Sequence, residues 1–92
     1  MKKRRVHVRI TGRVQGVFFR AYTRDAAGEI GVAGWVRNLP DGSVEAIFEG
    51  DAGKIDKMIE WCSQGSPIGR VHRVEVLEEV YTGDFDGFTI IH

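Results

Sequence analysis

The sequence predicts an α+β fold in which an antiparallel sheet is covered on one face by two helices. Three observations carry it. Several short stretches alternate apolar and polar residues, as half-buried strands do, and two longer stretches repeat apolar residues at helical spacing. A Pro-Asp-Gly turn, Pro40-Asp41-Gly42, joins two of the strands. The resulting order is β-α-β-β-α-β, the split βαβ arrangement, with a short extra strand at the end.

The elements follow in order. Arg5 to Thr11 places Val6, Val8 and Ile10 on one face and His7 and Arg9 on the other, giving the first strand. Gly12 to Phe18 breaks that alternation. From about Phe19, Tyr22, Ala26 and Ile30 recur at a spacing of four, so a helix follows the loop directly and should end before Gly31. Val32 to Asn38 and Ser43 to Glu49 form a hairpin around Leu39-Pro40-Asp41-Gly42. On its second strand Val44, Ala46 and Phe48 face the core, and Glu45, Ile47 and Glu49 face away. Asp51 reads as the N-cap of a second helix, whose stripe is Ala52, Ile55, Met58, Ile59 and Cys62, with Trp61 on its shoulder and Gly65 and Pro67 ending it. Arg70 to Glu79 and Phe88 to Ile91 complete the strands.

Residues 1–92 are too few for two cores and are expected to form one domain. The apolar fraction of 42% allows a real core. Cys62 is the sole cysteine, which excludes an internal disulfide, a paired-cysteine metal site and a thiol redox couple, and points to a reducing, cytoplasmic compartment. Met1 to Arg5 is basic, but the following residues alternate instead of running apolar, so neither an export signal nor a membrane span is expected.

The 13 basic and 13 acidic residues cancel, so no general attraction to nucleic acid is expected. Their distribution is uneven. Lys2, Lys3, Arg4, Arg5, Arg9, Arg13, Arg20 and Arg24 all precede the first acid, Asp25, so the first quarter of the chain is the anion-seeking part. The Lys2 to Arg5 run itself reads as a solvated tail.

The segment Gly12-Arg13-Val14-Gln15-Gly16-Val17-Phe18-Phe19-Arg20 takes the chain from strand to helix. Unpaired N–H groups at the positive end of the helix dipole make a place for an anion. Gly16 lets successive N–H groups converge, and Arg20 adds a forked guanidinium that matches phosphate oxygens. Spacing alone leaves this open beside a plain turn with a solvated arginine. Missing residues narrow the chemistry. The loop lacks the Gly-Lys-Ser/Thr of a nucleotide-binding P-loop, and a cysteine phosphatase would need its nucleophile where Val14 stands. No His, Asp and Glu cluster has metal-binding spacing, so no metal or other cofactor is expected. A clamp and a water suffice only for an activated phosphate. An acyl phosphate qualifies, because its leaving carboxylate has a conjugate acid of pKa about 4 and needs no proton.

At these residues the chain resembles the acylphosphatase family. Ile10 to Arg20 matches one signature of that family, and Gly34-Trp35-Val36-Arg37-Asn38-Leu39-Pro40-Asp41-Gly42-Ser43-Val44, running on to Gly50, matches its other. The resemblance covers nearly the whole chain. It implies a ferredoxin-like α+β sandwich and a small cytosolic enzyme that hydrolyses acyl phosphates without a metal, releasing a carboxylate and inorganic phosphate. By motif position, Arg20 would bind the phosphate, the N–H groups of Gln15, Gly16, Val17, Phe18 and Phe19 would complete the cradle, and Asn38 would orient the attacking water. Without the resemblance, Asn38 reads first as a turn-initiating residue before a Pro-containing turn, and the resemblance reverses that order. A monomer acting on a small molecule is expected, with no nucleic-acid or membrane partner.

Other residues are set aside. Cys62 lies on an apolar stripe and reads as an inert buried thiol. His7 and His72 read as exposed sheet residues, and His92 as incidental. Trp35 is close enough to Asn38 in sequence to help shape a pocket. An RNA-binding module of the same order would need outward aromatics on its central strands, where this chain offers His7, Arg9, Glu45, Ile47 and Glu49, an acidic face that would repel RNA. A domain excised from a larger carbamoyl-phosphate enzyme is also conceivable, but the free-standing enzyme is preferred because the downstream regions are missing.

Overall fold

The computed structural model describes residues 2–92. Its elements are β1 (Lys3–Arg13), α1 (Phe19–Ile30), β2 (Ala33–Asn38), β3 (Val44–Asp51), α2 (Ala52–Gln64), β4 (Arg70–Glu79) and β5 (Phe88–Ile90). The strands form one sheet in the order β4-β1-β3-β2-β5, so β1 lies between β4 and β3. Its first four strands pair antiparallel, with Val6 opposite Phe48 and Ile10 opposite Val44. The added strand β5 runs parallel to β2, Gly34 facing Phe88 and Val36 facing Ile90, so the complete sheet is mixed rather than antiparallel throughout.

Alternation decides the faces. Val6, Val8 and Ile10 of β1, Val36 of β2, and Val44, Ala46 and Phe48 of β3 are fully buried beneath the helices. Ile55, Met58 and Cys62 of α2 meet them from above. Each large apolar side chain removed from water contributes on the order of 1.5 to 3 kcal/mol. The stripe of α1 differs from the expected one: Phe19, Thr23, Ala26 and Ala27 are buried, whereas Tyr22 is exposed. Thr23 can sit there because its hydroxyl donates to the Phe19 carbonyl at 2.7 Å. Gly31, at φ 93°, ends α1.

Asp51 occupies the N-cap position of α2 but its side chain makes no capping bond. Lys3 takes it, Nζ to Oδ1 at 2.6 Å, because β1 and β3 pair Lys3 with Asp51.

The face away from the helices is not an open acidic surface. Glu45 accepts from Arg37 Nε at 2.6 Å and lies 2.7 Å from His7 Nε2, so His7 is a half-buried partner and not a free surface residue; His72 is exposed. Glu49 is only 2% exposed. It accepts from the Thr82 N–H and hydroxyl, the Gly83 N–H and Arg5, which fastens the 80–87 connection across this face on its way from β4 to β5. Burial pushes the Glu49 carboxyl up, but these donors outweigh it and hold it below the usual range.

The basic N-terminal run is likewise no solvated tail. Arg4 bridges Glu78 at 2.7 Å and Asp56 at 2.5 Å, Arg5 meets Glu79 at 2.8 Å, and Arg9 pairs with Asp41. Much of the early cationic charge is spent on acids that arrive later in the chain.

Candidate functional site

β1 continues two residues beyond its expected end. Gly12 and Arg13 pair with Val71 and Arg70 after a register shift that follows Thr11, so the loop proper is 14–18. Gly12 is a packing glycine: a Cβ there would stand 2.2 Å from the Arg70 carbonyl oxygen. Gly16 meets nothing within 4 Å and is required by conformation instead, at φ 73°. Val14 and Val17 point into the core and pin the loop.

Phe18 enters α1 at φ 63°, ψ 22°, a left-handed conformation that no other non-glycine residue adopts among those described. Phe18 is 71% exposed, so packing does not offset the backbone strain directly. Two left-handed residues, Gly16 and Phe18, alternate with their neighbours and turn successive N–H groups toward one side. Among the described residues, the N–H groups of Gln15, Gly16, Val17 and Phe18 find no protein acceptor. The first helical bond of α1 is Tyr22 N–H to Phe18 carbonyl, so the N–H groups of Phe19, Arg20 and Ala21 are free as well. Arg20 stands in this first turn, half-buried, with no carboxylate within 4 Å among the described residues.

Asn38 is the last residue of β2, paired with Val44. Its Oδ1 is buried and accepts no hydrogen bond from the protein. That oxygen makes no turn bond; in the hairpin the side chain that does is Asp41, whose Oδ1 accepts from the Ser43 N–H at 2.9 Å and the Ser43 hydroxyl at 2.5 Å. The Ser43 hydroxyl and N–H, with Arg9, hold the Asp41 carboxyl down at about 2.

One cleft of about 560 Å³ is lined by Val14, Gly16, Phe18, Phe19, Arg20 and Asn38 together with Ala21, Arg24, Ile90 and His92; Gln15 and Val17, also expected in the site, flank it in the loop without lining it. Among the described residues, no Asp or Glu side chain and no thiol lines it. Cys62 is fully buried in α2, and burial pushes its thiol up to about 12.

Three features were missed by sequence reasoning. The Gln15 side chain donates to the Leu39 carbonyl at 2.7 Å and the Ser43 carbonyl at 2.8 Å, tying the loop to the hairpin that carries Asn38. His92, set aside as incidental, lines the cleft beside Ile90, because β5 adds next to β2. Arg24 lines it too, one helical turn after Arg20, and that i, i+4 spacing was visible in the sequence. Trp35, by contrast, does not line the cleft. It faces the opposite side of the sheet, with the Arg37 guanidinium 5.4 Å from its ring centre.

Among the described residues, free N–H groups, an arginine without a carboxylate partner and a buried amide oxygen without a donor thus lie close together. The acylphosphatase family profile matches residues 6–90. The chain is 62% identical over 90 residues to the acylphosphatase of Syntrophobacter fumaroxidans, covering 98% of this chain and 93% of that one. It is 56% identical over 87 residues to the acylphosphatase of Rubrobacter xylanophilus, covering 95% and 79%. The crystal structure of acylphosphatase from Bacillus subtilis superposes with a TM-score of 0.93 at 32% identity, over 97% of this chain and 99% of that one. With the match spanning the loop, the hairpin and both helices, the chain belongs to the acylphosphatase family.

Proposed function

We propose that acyl phosphates are hydrolysed in the cleft between the 14–18 loop and Asn38. The N–H groups of Gln15, Gly16, Val17, Phe18 and Phe19 bind the phosphate oxygens, and the Arg20 fork balances the charge that spreads over them in a loose transition state. The Asn38 Oδ1 accepts a hydrogen from a water and aims it at phosphorus. The observation that supports this reading is the buried, unpartnered Asn38 Oδ1 in the same cleft as the free N–H groups. An uncharged acceptor suits the place, since a carboxylate would repel the phosphate dianion.

The water oxygen forms its bond to phosphorus as the bond from phosphorus to the carboxyl oxygen breaks. The carboxylate leaves with that electron pair and needs no acid. The water proton passes to a phosphate oxygen of the substrate. Among the described residues, His92 is the one imidazole lining the cleft, so a His92→Ala variant separates the alternatives: retained turnover supports transfer to substrate, and abolished turnover would assign the proton to His92. The reaction needs no cofactor, and we place it in a single-domain cytoplasmic monomer, which the lone buried cysteine suits.

Hydrolysis of benzoyl phosphate in the presence of a chelator tests the assignment. Wild type is expected to turn over, while Arg20→Ala and Asn38→Ala each lose about a hundredfold or more in kcat, the usual cost of one preorganised transition-state contact. Full activity in either variant would refute the role given to that residue. An inactive wild type would leave a phosphate-binding domain without catalysis.

A further inference from the structure

The cleft is larger than its chemistry requires. A water-sized group occupies roughly 30 Å³, so the phosphate and its attacking water, about six such groups, take roughly 180 Å³. Most of the 560 Å³ therefore remains for the acyl portion of a substrate. Phe18, Ala21 and Ile90 supply apolar wall to that space, and among the described residues Arg24 is the one Lys, Arg, Asp or Glu lining it besides Arg20. Arg24 follows Arg20 by one turn of α1, which sets it about 6 Å farther from the cradle along the same face.

Arg24 is not committed elsewhere. Among the described residues its one charged contact is with the adjacent Asp25, Nε to Oδ1 at 3.5 Å, with side chains 50% and 70% exposed. Such a contact between exposed neighbours contributes little and yields readily to a better partner. Asp25 itself lines a different groove, on the outer side of the helices. Among the described residues, no Asp or Glu side chain lines the cleft to compete for Arg24.

We propose that Arg24 is a specificity residue that binds a second carboxylate at the far end of the acyl chain, so that the enzyme favours monoacyl phosphates of short dicarboxylic acids. The inference rests on the phosphate occupying the cradle. One helical turn then matches a chain of about three to four carbons, whose methylenes lie along the apolar wall while the two ends meet Arg20 and Arg24. The guanidinium fork matches the two oxygens of one carboxylate. A second phosphate would ask for the several donors that the cradle has and the Arg24 position lacks.

Two substrates of equal chain length isolate the effect: butyryl phosphate, with a neutral end, and succinyl phosphate, with a carboxylate there. Wild type, Arg24→Gln and Arg24→Lys are compared by kcat and KM on both, with thermal denaturation to confirm equal folding. Arg24→Gln is expected to raise KM for succinyl phosphate about fivefold to tenfold, with kcat unchanged and butyryl phosphate turnover within about twofold of wild type. Arg24→Lys should retain part of the preference. Equal losses on both substrates would show general attraction of anions and overturn the inference, as would no loss on either. If wild type hydrolyses neither substrate, the proposed function fails first; if it hydrolyses both and Arg24→Gln leaves their ratio unchanged, only the role of Arg24 fails.

Discussion

Replacing Gln15 with Met removes a bridge without removing its volume. In the wild type the side-chain amide donates to the carbonyls of Leu39 and Ser43, at 2.7 and 2.8 Å. Each carbonyl keeps another donor, since Gly42 N–H also reaches Leu39 and Leu39 N–H also reaches Ser43. The loss is therefore two ordinary hydrogen bonds with no orphaned group, about 1 kcal/mol each and about 2 kcal/mol together. For a domain of this size that lowers the melting temperature by about 8 to 16 °C, and the protein remains folded at 25 °C. The kinetic effect should exceed what stability alone predicts. The bridge sets the distance between the cradle and Asn38, and misplacement by about 1 Å can cost on the order of a hundredfold, so kcat at 25 °C is expected to fall at least about tenfold. Thermal denaturation followed by circular dichroism, with kcat on benzoyl phosphate, measures both. An unchanged melting temperature would refute the energetic argument. A lowered melting temperature with unchanged kcat would show that Gln15 stabilises the hairpin without positioning the site.

Two further outcomes can be checked by denaturation. Phe18 at φ 63° holds a conformation that costs a side-chain-bearing residue about 1 to 2 kcal/mol, while glycine adds unfolded-state entropy of about 0.4 to 1 kcal/mol. Phe18→Gly should therefore match or slightly exceed wild-type stability in urea, and β-branched Phe18→Val should fall below it by about 1 kcal/mol or more; equal stability of the Val variant would contradict the strain. Glu49, with its native carboxyl below the ordinary 4.5, contributes stability that is complete above 4.5 and lost as pH falls through the lower native value. Glu49→Gln should cost about 2 kcal/mol at pH 7, with the gap to wild type closing in acid, and melting curves from pH 7 to 2.5 showing a constant gap would disprove the linkage.

The elements that alternation or helical spacing defines were legible in the residues. β4 and α1 begin and end where the pattern places them, and the two signature stretches identify Arg20 and Asn38 as candidates before any geometry. What the sequence hid depends on pairings across the sheet. Nothing local in Gln15 announces that its amide crosses to Leu39 and Ser43, residues more than 20 positions away. The cations of β1 read as an anion-seeking tail because their partners, Asp51, Asp56, Glu78 and Glu79, lie far downstream. Phe18 in a left-handed conformation runs against every local preference for a bulky residue, so only the demands of the loop around it could reveal it. His92 reaches the cleft through the parallel pairing of β5, a choice of sheet edge that three residues of strand cannot specify.

The placement of β1 between β4 and β3 has a dynamic consequence. The cradle grows from the strand with a neighbour on both sides, whereas Asn38 ends β2, which has β3 on one side and the three-residue β5 on the other. Amide hydrogens of β1 should exchange only through global opening, and those at the β2–β5 seam through cheaper local opening. Brief detachment of β5 would then disturb the residue that aims the water while leaving the phosphate grip intact, so warming the enzyme below its melting point should depress turnover before it weakens the binding of inorganic phosphate.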